Sequence, residues 1–160
     1  MTLTVLQYPD PRLSTVCKAV SQIDEDLIAQ MYDTMYAAKG RGLAAPQVGV
    51  LQRIFVVDVT WKEGSRDPRV FINPVVQHSG EGMRSMEEQC LSIPDLPMPV
   101  DRPDRIQLSW TARDATPASA TFDGILARCI QHEFDHLNGQ VIFDHQSPEN
   151  RSALEAAYAP

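Results

Sequence analysis

Across residues 23–39, Leu27, Ile28, Met31 and Met35 recur at helical spacing and form one apolar stripe. Asp24 stands where an N-cap belongs, and Gly40 and Gly42 are expected to end this first helix. The period then changes from 3.6 to two. A loop and short strand are expected over residues 42–49, and residues 53–59 predict a strand rich in β-branched side chains. Further strands are expected at residues 70–72, closed by Asn73-Pro74, and at residues 82–86, Arg105–Thr111 and 118–122. The polar stretch 62–67 reads as a solvated loop. Pro94, Pro97, Pro99 and Pro103 exclude regular helix between them, leaving an extended edge or loop. Helical spacing returns from about Gly124 to Leu137, with Gly139 just beyond, and a last helix begins at Ser147-Pro148-Glu149. The pattern predicts an α+β fold, with short antiparallel strands packed around one central helix and a helix near each terminus.

Composition narrows the class. With 160 residues, 43% of them hydrophobic, the chain has enough core for one domain spanning residues 1–160. A net charge of −7 argues against nucleic acid as the primary ligand. No apolar run is long enough for a membrane span, and the first residues lack the features of a secretory signal. Three cysteines, an odd number, argue against a disulfide framework and point to a reducing cytoplasm. Cys17 and Cys129 have apolar or helical neighbours and are expected to be buried packing residues. Cys90, in Glu88-Gln89-Cys90-Leu91-Ser92, has polar neighbours on one side and is the chemical candidate.

The central helix carries His132-Glu133-Phe134-Asp135-His136. Residues four apart share a helix face, so both imidazoles can reach one transition metal. Glu133 is then placed to take a proton from a water polarised by that ion, which points to a metal hydrolase. Catalytic sites of this kind use three protein ligands. Cys90 is the best third ligand, while Glu87, Glu88, Asp135 and Asp144 are carboxylate alternatives that spacing leaves open.

Three segments, Gly40-Arg41-Gly42-Leu43-Ala44-Ala45-Pro46-Gln47, Glu88-Gln89-Cys90-Leu91-Ser92 and Gln131-His132-Glu133-Phe134-Asp135-His136-Leu137-Asn138-Gly139, resemble the three motifs of the peptide deformylases in order and spacing. The likeness runs from Leu6-Gln7-Tyr8-Pro9 to the last helix. It implies removal of the formyl group from the N-terminal methionine of new proteins. It implies Cys90, His132 and His136 as ligands of one divalent ion, usually ferrous iron in that family, although zinc, nickel or cobalt suit the same donors. Glu133 would be the acid–base group, and Gln47 with the backbone N–H of Leu91 would donate to the oxyanion. Gly42 would permit close backbone approach. An Arg102–Glu88 pair would brace the loop bearing Cys90. The substrate would be an N-formylated peptide, with at most a transient ribosome contact.

Arg41, Gln89 and Arg128 depart from the family pattern, and together with Gly42, Glu88 and Cys129 they are assigned to the substrate region. Gln89 replaces a glycine and either faces solvent or narrows the groove. Arg41 and Arg128 stand where aliphatic residues usually line the methionine pocket. Arg128 has three readings: an ion pair with Glu87 or Glu88, an aliphatic stem with its charge at the mouth, or a joint carboxylate site with Arg41. The last would make the enzyme an amidase for a different, acidic N-acyl substrate. An endopeptidase is disfavoured by Cys90, and a non-catalytic metal protein by the presence of Glu133 and Gln47.

Overall fold

The computed structural model describes residues 1–80 and 82–158. Helix α1 (Glu25–Ala37) follows the predicted stripe, burying Leu27, Ile28, Met31 and Met35. Asp24 accepts a hydrogen bond from the Leu27 N–H at 3.1 Å, a cap worth about 1 kcal/mol. The helix ends one residue earlier than its glycines suggest. Lys39 takes the left-handed turn at φ 60°, and the Gly40 N–H returns to the Met35 carbonyl.

Strands β1 (Gly42–Ala44), β2 (Ile54–Val57), β3 (Arg69–Ser79), β6 (Arg105–Thr111) and β7 (Pro117–Asp123) form an antiparallel sheet in the order β1-β2-β3-β6-β7. The expected stop at Asn73-Pro74 is wrong: β3 continues to Ser79. The ladder slips between Ile72 and Val75, so the proline sits in a bulge rather than in a regular ladder. Asn73, at φ 49°, fixes that bulge by bonding both the N–H and the carbonyl of Val20. Strand β4 (Met83–Cys90) and β5 (Ile93–Pro103) make a separate two-stranded hairpin. β4 runs four residues past its predicted end, so Cys90 closes a strand. On β5 the prolines at 97 and 99 face out while Met98, Val100 and Arg102 face in.

Helix α2 (Gly124–Leu137) lies between sheet and hairpin. Ala127, Ile130 and Leu137 join Phe55, Phe71 and Leu108 in one core cluster. The same helix also buries Gln131, His132, Glu133 and His136, polar groups that a core accepts only with partners or a task. Its C-terminus is tied down: Arg53 donates to the Leu137 carbonyl at 2.9 Å and to the Asn138 side chain at 3.0 Å. Gly139, at φ 73°, lies against Ser14, where an added Cβ would come within 2.8 Å of backbone. Helix α3 (Pro148–Tyr158) packs on the hairpin side through Leu154 and Tyr158, beside Leu13, Phe143 and Cys90. Among the described residues no helix is long and apolar enough to cross a membrane.

Candidate metal centre and substrate cleft

The end of β4 brings Cys90 against α2, and the ligand atoms of Cys90, His132 and His136 lie within 4.8 Å of one another. Cys90 Sγ is 3.5 Å from His136 Nε2. All three residues are buried. Burial alone would raise the Cys90 thiol, but His136 and His132 beside it bring it down to about 5. The carboxylate alternatives are engaged elsewhere. Asp135 accepts from Arg102 and lies 2.7 Å from His145, and Asp144 caps the Val141 N–H and binds Arg151. Glu87 lines the cleft, outside the cluster.

Glu88 organises the ring behind the ligands. One carboxylate oxygen accepts from Arg102 Nη2 at 3.0 Å and faces His132 Nδ1 at 2.9 Å; the other accepts from Arg102 Nε at 2.7 Å and Arg128 Nη1 at 2.6 Å. Burial opposes its charge, yet the bonds from His132 and Arg102 hold the carboxyl well below its usual range. With His132 Nδ1–H spent on Glu88, the lone pair of Nε2 is left for an ion.

Glu133 is the opposite case. Its Oε1 and His136 Nδ1 are, among the described residues, the buried side-chain atoms with no hydrogen-bond partner. Burial pushes the Glu133 carboxyl up, against the pull of the two imidazoles. Gly42 makes room for it: a Cβ there would stand 2.5 Å from Glu133 Oε2 and 3.0 Å from Cys129 Sγ. Gln47 is oriented by two contacts. Its carbonyl accepts from the Ala44 N–H at 2.9 Å and its amide donates to Ser92 Oγ at 3.1 Å, so the NH₂ faces Cys90.

Gln47, Glu88, Cys90, Arg128, His132 and Glu133 line a cleft of about 730 Å³ that is also lined by Gly42, Gln89, Leu91, Ile125 and Cys129. The donor set fits a resident ion. Two nitrogens and a thiol sulfur converge, a carboxylate orients one histidine, and Glu133 keeps a buried oxygen that no protein group bonds.

The model of the polypeptide deformylase family matches residues 2–152. The chain belongs to the polypeptide deformylase family. The peptide deformylase of Pseudomonas aeruginosa is 44% identical over 155 residues, covering 95% of this chain and 91% of that protein. That of Azotobacter vinelandii is 43% identical with the same coverage. The crystal structure of the Legionella pneumophila peptide deformylase superposes with a TM-score of 0.90 at 38% identity, over 98% of this chain and 92% of that one. The Synechococcus elongatus enzyme, solved in complex with actinonin, has the same score and identity, over 98% and 89%. The α+β architecture is therefore that of the deformylases, a metal-dependent family.

Against the family pattern, Arg128 follows the first of its three readings. It pairs with Glu88 and also donates to the Val100 carbonyl at 3.0 Å and the Arg84 carbonyl at 2.6 Å. The guanidinium is thus a strut from α2 to both hairpin strands, and Arg128 lines the cleft together with Arg41. Arg41 instead reaches Glu63 at 3.5 Å, with its side chain 43% exposed. Gln89 is exposed at the bulge between Glu88 and Cys90 and lines the cleft. Glu88, assigned to the substrate region, lines the cleft and is also buried against His132, Arg102 and Arg128. Cys17 is buried as expected, whereas Cys129 is only partly buried and borders the cleft. Spacing missed Lys39 and Lys62, which line the cleft from separate segments.

Proposed function

We propose that the chain hydrolyses the N-formyl group from the N-terminal methionine of nascent peptides, with residues 1–160 acting as one catalytic domain. The observation that carries this is a buried carboxylate with an unpartnered oxygen beside a Cys-His-His cluster, in a cleft open to a peptide. Cys90, His132 and His136 would hold one divalent ion, ferrous iron by likeness to the family, with zinc, nickel or cobalt as substitutes. Such an ion supplies Lewis acidity that makes a water nucleophilic near neutral pH.

Glu133 takes a proton from the attacking water and later delivers it to the departing amine nitrogen. Water and formamide thus give formate and a free amino terminus. Gln47 Nε2 and the Leu91 N–H donate to the formyl oxygen as it gains charge; one such donor lowers a barrier by about 2.7–4 kcal/mol in a comparable site. Gly42, Gln89 and Cys129 border the bound peptide. Glu88, through Arg102 and Arg128, keeps His132 in the binding tautomer. The setting would be the cytoplasm, with at most a transient contact at the ribosome. The test is formate release from formyl-Met-Ala-Ser by protein loaded anaerobically with iron or nickel. Turnover supports the reading, and none from a folded, metal-replete protein refutes it.

A further inference from the structure

One wall of the cleft carries charge that the hydrolysis does not use. Lys39, Arg41 and Lys62 line the cleft, which Glu87 and Asp95 line from the hairpin. Residues 39–41 and Lys62 are distant in sequence, and Trp61 brings them together. Its indole N–H donates to the Gly40 carbonyl at 2.9 Å, and its ring packs edge-on against Tyr36 at 5.3 Å. The root of Arg41 is fixed as well: its carbonyl accepts from the Asp58 N–H at 2.8 Å and from Cys129 Sγ at 3.5 Å. Arg41 directly precedes Gly42, the residue packed against Glu133.

The head of Arg41 is held loosely by comparison. Its ion pair to Glu63 is 3.5 Å long, and the Glu63 side chain is 64% exposed. A pair of that kind opens at little cost. Arg128 does not compete for a ligand, because Glu88, Val100 and Arg84 already occupy it. The near side of the cleft thus carries Lys39, Arg41 and Lys62, with Glu63 paired to Arg41, while Glu87 and Asp95 line it from the hairpin. The chain's −7 charge repels an acidic peptide at long range, but beyond roughly 8 Å that repulsion is largely screened at physiological salt.

We propose that Lys39, Arg41 and Lys62 form a subsite for a carboxylate, so that the cleft prefers formylated peptides with Asp or Glu among their first two residues. The subsite rests on the deformylase reading above. An incoming carboxylate displaces Glu63 and takes the planar guanidinium of Arg41, a geometry in which two parallel N–H bonds can form. Lys39 and Lys62 contribute as flanking point charges.

The test measures kcat/KM of the metal-loaded protein for formyl-Met-Ala-Ser, formyl-Met-Asp-Ser, formyl-Met-Lys-Ser and formyl-Asp-Ala-Ser. The same set is run on the triple variant Lys39→Gln, Arg41→Ile, Lys62→Gln. In low salt an acidic peptide should exceed its neutral counterpart by about fivefold. That ratio should fall toward one in high salt and in the variant. A wild-type ratio of one or less, or a preference that survives in the variant, overturns the subsite. If no peptide is turned over, the deformylase reading fails. Equilibrium binding of the same peptides then decides the subsite: tighter binding of the acidic ones, lost in the variant, supports it, and equal binding overturns it.

Discussion

Glu88 and Glu133 are both buried glutamates beside His132, yet they sit in opposite environments. Every lone-pair direction of Glu88 is taken, with Arg102 twice, Arg128 and His132 around it, and its carboxyl is held low. Glu133 has a buried oxygen without a partner and a carboxyl pushed up by burial. A saturated carboxylate can orient a neighbour but has no capacity left for a proton in transit. An unsatisfied one destabilises the fold and is retained for what it does.

The largest effect should come from Glu133→Gln, which removes the proton acceptor while leaving the shape. Activity should fall about 10³-fold with the metal still bound. Because the lost charge was uncompensated, the melting temperature should hold or rise, as scanning calorimetry would show. Gly42→Ala tests the same carboxylate from outside. Its methyl would collide with Glu133 Oε2 and displace it, costing about 10²-fold in kcat with the fold intact by circular dichroism.

Glu88→Gln should give the reverse signature. Arg102 and Arg128 lose the charged partner they share, and the stability loss should be about 2–3 kcal/mol in denaturant titration. Metal affinity, read by chelator competition, should drop about 10–100-fold. Arg128→Leu removes one donor of four from Glu88 and should cost about 1–2 kcal/mol. The smallest effect concerns pH. A carboxyl lowered by folding, as in Glu88, stabilises fully above its unfolded value of about 4.3 and loses that contribution as pH falls below it. The acid limb of the stability curve should therefore be shallower in Glu88→Gln, and a limb of unchanged slope would remove Glu88 from that role.

Much of this site was legible because it is local. The helical spacing of His132 and His136, the Asp24 cap and the run Arg105–Thr111 each depend on a few neighbouring residues. What escaped depends on tertiary direction. Four-residue spacing puts Arg128 on the metal-facing side of α2, but only the hairpin shows that its guanidinium turns to Glu88, Val100 and Arg84. Pro74 reads as a strand breaker because the bulge that accommodates it is set by Asn73 bonding to Val20, 53 residues away. Lys39 and Lys62 carry no motif, and their meeting depends on the Trp61–Gly40 bond.

The most direct test of the central claim is formate release from formyl-Met-Ala-Ser by wild type and Glu133→Gln matched for bound metal. The account predicts turnover in the wild type and a loss of about 10³-fold in the variant at equal metal content. Variant activity within about tenfold of wild type would contradict it, because the proton would then pass through some other group.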